Sequence, residues 1–169
     1  GAALGFHYQL FCASSDRSSP LLEYTYVQPV SESWDLLAML IRSELNGEVH
    51  LLKLVRKSVT RSVSYEMTLH AKVSTSRHVA TLYHRGSSST EVNFAVEEHC
   101  EDSMRSHIVS GDGVPDDSFW RWATQIARGI VSIHEHNIIH NAIQPDNIGL
   151  AENGDVRIGG FHNACDAEA

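Results

Sequence analysis

The stretch "IIHNAIQPDNIGLAENGDVRIGGFHNA", residues 138 to 164, decides how the whole chain is read. Its second half places apolar residues on either side of "ENGD". The Asn153-Gly154 pair at the centre marks a tight turn, so two short strands are predicted around it. Upstream, "SFWRWATQIARGIVSIHEHN" (118–137) repeats Phe119, Ala123, Ile126, Ile130 and Ile133 at spacings of three and four. That period predicts a helix with one apolar face, capped by Asp116, Asp117 or Ser118. A shorter helix is expected from Met104 to Val109, ahead of the breaker "SGDGVPDD" (110–117).

Further upstream the chain is rich in strands. "YTYVQPV", "LLAMLIRS" and "VHLLKLV" follow one another between Tyr24 and Val55, and "ELNGE" joins the last two. Asn46-Gly47 predicts a hairpin with a type I′ turn, whose two central residues both need positive φ. In "RSVSYEMTLHAKV" (61–73), Val63, Met67 and Ala71 recur every four residues and predict a helix with one apolar stripe. "VATLYHR" (79–85) and "VNFAVEE" (92–98) form a second expected hairpin around the flexible "GSSST". In residues 1–23, "FHYQLF" suggests a short strand before a polar loop.

With 169 residues, 42% apolar and 20% charged, the chain is expected to form one cored domain or part of a larger one. A net charge of −8 speaks against a broad nucleic-acid surface, although "LVRKSVTR" (54–61) is locally basic. The apolar run "LLAMLI" (36–41) is far shorter than the roughly 20 residues that span a bilayer, so no membrane insertion is expected. Cys12, Cys100 and Cys165 fit neither a disulfide framework nor a paired metal motif. Reduced thiols in the cytoplasm or another intracellular reducing compartment are expected.

Several motifs, in order and at consistent spacing, together resemble the eukaryotic protein kinases. Lys53 in "HLLK" takes the place of the lysine that steadies ATP phosphates, and Glu66, thirteen residues on, that of its helical glutamate partner. "FAVEEHCEDSM" (94–104) looks like the last strand of the N-lobe and the hinge. "IIHNAIQPDNIGL" is similar to the catalytic loop, keeping His140, Pro145 and Asn147, and "VRIGGFHNA" to the DFG region, keeping Phe161. The resemblance implies an α+β fold: a kinase-like N-lobe over 24–98, with a five-stranded antiparallel sheet and one αC-type helix. Residues 99–169 would be the hinge and the first, mostly helical part of a C-lobe, with 1–23 as an extension.

The same alignment shows what differs. Phosphoryl transfer depends on positioning and charge neutralisation. The glycine-rich loop is "SESWDL", with Ser31, Ser33 and Leu36 at the glycine positions and Glu32 and Asp35 adding negative charge. The catalytic aspartate is Ala142, which removes a general base that contributes about 10²–10⁴-fold. The lysine after it is Gln144, the DFG aspartate is Gly160, and the glycine after Phe161 is His162. Asn147 alone is a poor ligand set for Mg²⁺. These losses resemble a pseudokinase, and "HN" with "GGF" is similar to the Scy-like pseudokinases.

The expectation is therefore a chain that is not an enzyme, has no cofactor and acts as a protein-binding scaffold or structural subunit. The alternatives are a nucleotide-binding switch without turnover, holding nucleotide through Lys53 and Asn147, or an atypical kinase. Lys53 and Glu66 are also read as a plain structural ion pair, His140 as a fastener of the loop backbone, and Phe161 and Leu69 as core. His134, His136 and His140 lack the HExxH pattern, so no metal site is expected. The resemblance ends shortly after the DFG position. Trp120 and Trp122 are accordingly expected on an uncovered helix face that meets a protein partner, a large complex or the remainder of a longer chain.

Overall fold

A computed structural model describes residues 20–32, 36–56, 61–87, 92–110, 114 and 116–168. The chain divides into two compact units, Gly1–Ser64 with Leu82–Glu98, and Tyr65–Thr81 with His99–Ala169. The expected strand "FHYQLF" and the loop residues Ser33 and Asp35 lie outside the described residues.

The first unit is the five-stranded antiparallel sheet expected of an α+β fold. Its strands are β1 (Tyr24–Glu32), β2 (Leu36–Ser43), β3 (Val49–Arg56), β4 (Leu82–Ser87) and β5 (Val92–Glu98), in the order β1-β2-β3-β5-β4. Alternation sends Leu37, Met39, Ile41, Leu52, Leu54, Phe94 and Val96 to one face, where they form a buried cluster with Leu21 of the 3₁₀ turn Pro20–Glu23. Each such burial stabilises by about 1.5–3 kcal/mol. β1 is an edge strand, exposed along almost its whole length. It carries Pro29 and two register shifts, as suits an edge that has no further ladder to serve.

The hairpin at Asn46-Gly47 is present, but not as a type I′ turn. Only Gly47 takes a positive φ, +77°. The Gly47 N–H donates to Ser43 O at 2.9 Å and the Ser43 N–H to Glu48 O at 2.9 Å. The Asn46 side chain accepts from the Glu48 N–H at 3.0 Å, which holds a longer turn closed. The second hairpin is also present, with residues 88–91 outside the described part. Its first strand starts at Leu82, later than expected, because Val79 belongs to the second unit and pairs there with Ile158.

The second unit takes most of helix α1 (Arg61–Val73) and adds β6 (Asp102–Ser103), α2 (Met104–Val109), α3 (Asp116–Glu135) and β7 (Ile138–Ile139). Beyond the 3₁₀ turn Pro145–Asn147 come β8 (Ile148–Leu150), β9 (Val156–Ile158), a 3₁₀ turn Phe161–Asn163 and β10 (Cys165–Asp166). The strands form two small antiparallel sheets, β6-β8-β9 and β7-β10. α2 matches its expected bounds and begins with a reciprocal Ser103–Ser106 capping box.

Both longer helices bury the stripe that periodicity predicts only in part, and bury polar or small positions beside it. On α3 the buried residues are Trp122, Gln125, Gly129 and Ile133, with Ile126 and Ile130 partly covered, whereas Phe119 and Ala123 are exposed. Asp117 and Ser118 lie inside its first turn rather than at its cap. On α1, Met67, Leu69, His70 and Val73 are buried and Ala71 only partly so, while the Val63 side chain is outside the described residues. In each case a polar side chain enters the core because a partner awaits it. Gln125 accepts the Val156 N–H at 2.9 Å and donates to Asp155. His70 Nε2–H donates to Ala80 O at 2.7 Å.

Candidate functional site

The loop after β7 is built around His140. Its ring is buried; Nδ1 accepts the Ala142 N–H at 3.2 Å and Nε2–H donates to Gly159 O at 3.0 Å. Those roles select the neutral tautomer with its proton on Nε2. Burial pushes the His140 pKa below its ordinary 6.5, against the raising effect of the Gly159 carbonyl, and nearby His162 and His70 lower it further. His140 thus fastens the loop to the strand end, the role expected of it.

Phe161 is fully buried between two histidines. The His70 ring stacks on it at 4.5 Å and the His140 ring meets it edge-on at 4.6 Å. Leu69 is buried in the same cluster. Together they tie α1 to the segments around 140 and 161, all within the second unit.

Asn147 closes the loop from the other side. Pro145 opens the 3₁₀ turn, where its fixed φ is at ease, and the Asn147 Nδ2 donates to Ala142 O at 2.9 Å. Gly160 has φ +75°, and a Cβ added there would fall inside the Asn147 carboxamide. Ala142 is half-buried, and Gln144 and His162 are exposed. Position 142 supplies no acid or base and position 160 no carboxylate. Asp146, next to Asn147, is exposed and faces Arg105 at 3.7 Å. This donor set does not suit Mg²⁺, which favours carboxylate and phosphate oxygens in octahedral array.

In the first unit, Lys53 lies on the sheet face opposite the buried cluster. Its Nζ is 2.7 Å from Glu97 Oε2, and both side chains are largely covered, 22% and 8% exposed. The register explains the pair: Lys53 stands opposite Ala95, and Glu97 is the diagonal neighbour two residues along β5. Glu97 was not among the residues that sequence reasoning singled out. The available signal was the period of two along the strand, since "VEE" must send one of its two glutamates to Lys53's side. Glu66 is partly buried on α1, in the second unit. Ser31 and Glu32 remain in β1 and Leu36 opens β2.

The two tryptophans expected on an uncovered face separate. Trp122 is core, with Nε1–H donating to Gly154 O at 3.1 Å and the His107 ring against it at 5.4 Å. It does not lie on an uncovered face, because its position on α3 points it at the β8-β9 turn. Trp120 is 74% exposed, and the Phe119 ring stands edge-on to it at 5.2 Å. His134 and His136 are exposed, and His136 Nδ1–H donates to Ser132 O at 2.8 Å. His140 is turned to Gly159, and among the described residues no group of histidines, cysteines and acids is placed to hold a metal ion.

A family model described as a protein kinase domain matches residues 38–169. The serine/threonine-protein kinase Nek3 of Mus musculus is 27% identical over 147 residues, covering 83% of this chain and 28% of that protein. The serine/threonine-protein kinase greatwall of Danio rerio is 22% identical over 160 residues, 90% of this chain and 19% of that protein. The eIF-2-alpha kinase GCN2 of Schizosaccharomyces pombe is 35% identical over 71 residues, 42% of this chain and 4% of that protein. The chain therefore spans less than a third of the length of these relatives. The likeness overturns the expectation of a chain that is not an enzyme, since the matching family and relatives are kinases by name. Ala142 and Gly160 are differences that lie within the span matched by the kinase family model.

Proposed function

Because the chain belongs to the protein kinase family, we propose that it is a kinase-fold module that acts by binding protein, as a scaffold or structural subunit of a larger assembly. The observation that carries this reading is the Phe119–Trp120 pair: two adjacent aromatic rings held against each other and left to solvent on a helix whose other face packs into a core. Large aromatic side chains exposed on a rigid element are the usual anchors of protein interfaces. A cytoplasmic or other reducing compartment is part of the proposal, supported by three widely spaced cysteines that fit neither a disulfide framework nor a paired metal motif. Among the described residues no helix is long and apolar enough to cross a membrane.

The test is association of the purified chain, followed by sedimentation and by capture of bound protein, with Trp120→Glu compared with the natural residue. Association should fall at least tenfold while the melting temperature stays within a degree or two, as surface changes cost about ±0.5 kcal/mol or less. Equal association by both forms rules the reading out.

A second reading, phosphoryl transfer by an atypical site, is favoured by the retained Lys53 and Asn147 and by the kinase names of the relatives. Transfer of the γ-phosphate from labelled ATP to a generic acceptor protein tests it, and label that stays on ATP with every acceptor and metal counts against it.

A further inference from the structure

Lys53 already has an anion. The Glu97 carboxylate lies 2.7 Å from its ammonium, on the same face of one sheet, with both side chains largely withdrawn from water. A phosphate brought to this ammonium has to displace the carboxylate or sit beside it. Two like charges within a few ångströms repel strongly where water is scarce. The carboxylate has little room to swing away, because the Glu97 side chain is only 8% exposed.

We infer that Glu97 takes the place of a ligand phosphate at Lys53 and sets how strongly this sheet binds a phosphate-bearing ligand such as a nucleoside triphosphate. The inference uses the nucleotide side of the second reading above. It does not need turnover. Glu97 is then a positioning residue: it acts on the ligand by holding Lys53.

The experiment is calorimetric titration of the whole chain with ATP, free of divalent metal, for the natural protein, Glu97→Gln, Lys53→Met and the double variant. Glutamine keeps the shape of glutamate and removes its charge. Glu97→Gln should bind ATP about tenfold more tightly than the natural protein, the scale on which removing one member of a close charge pair alters binding. The gain should vanish in the double variant. A folded Glu97→Gln that binds ATP no better than the natural protein overturns the inference, whether both bind or neither does. Should that variant fail to fold, the Lys53 ammonium resonance of the natural protein decides. It should stay in place as ATP is raised to millimolar concentration, and a saturable shift overturns the inference. Failure of the phosphotransfer reading has its own signature: no labelled phosphate leaves ATP in any variant, while the affinity difference persists.

Discussion

Asn147 and Gly160 share one small space: the carboxamide that donates to Ala142 O occupies the volume in which a side chain at residue 160 would begin. Gly160 also has a φ of +75°, where a Cβ is strained. Restoring an acid at this position, Gly160→Asp, should therefore destabilise the fold by about 1–3 kcal/mol. Combining it with Asn147→Ala should cost less than the sum of the two single changes, because the overlap is removed once. Urea denaturation of the four proteins measures both effects. Strict additivity would place the whole cost in the backbone.

The two neighbouring tryptophans should behave oppositely. Trp122→Ala removes a buried ring and its hydrogen bond to Gly154 O, and should cost about 3–5 kcal/mol. Trp120→Ala should change stability by about 0.5 kcal/mol or less. Thermal unfolding separates the two.

Gln125 joins α3 to β9 through Asp155 and the Val156 N–H. Gln125→Leu leaves both without this partner in a buried place and should cost about 1–3 kcal/mol. The Gln125 amide is the main reason the Asp155 carboxyl lies below its ordinary 3.8, with Arg77 helping and burial opposing. A depressed carboxylate stabilises the fold above its unfolded pKa, and the contribution disappears as pH falls through the folded one. In Gln125→Leu, stability should therefore fall less steeply below pH 4 than in the natural protein, as acid-dependent urea midpoints would show.

The histidines impose a second, milder acid limb. Burial lowers His78, His99 and His140 below 6.5. Just below that pH the unfolded chain takes up protons that the folded chain refuses, so stability drops as pH falls. The melting temperature should decline between pH 7 and pH 5.5. The His140 ring resonances should hold their neutral positions until the pH is well under 6.5. Titration of His140 at its ordinary value would show that the ring is not withdrawn from water as its burial implies.

The strands were the most legible part of the chain. β2 runs over the predicted "LLAMLIRS" because a run of branched and apolar residues bounded by a turn admits little else. Helix existence was legible too, and the helix face only in part: Met67, Ile126, Ile130 and Ile133 pack as predicted, whereas Phe119 and Ala123 do not. Periodicity weighs only apolar residues, and here the core accepts Gln125, His70 and His140, each of which meets a backbone partner distant in sequence. The turns were placed correctly and shaped wrongly, since the Asn46 side chain, not its φ, closes the first hairpin. At the candidate site, His140, Asn147 and Phe161 stood out through their motif, whereas Glu97 depended on which face of β5 a residue occupies. Trp122 was misjudged because one position along a helix turns a side chain by about 100°.

Helix α1 carries a consequence for the way the chain is made. His70 rests on Phe161, and the Tyr65 hydroxyl accepts the Asp166 N–H at 3.0 Å, 101 residues along the chain. On a ribosome the sheet of the first unit has all its strands once residue 98 has emerged, while α1, threaded between β3 and β4, still waits for the segment around 161–166. Until then Leu69 and Val73 lack the later segments they pack against, and apolar surface open in that interval is exposed to chaperones and to misassembly.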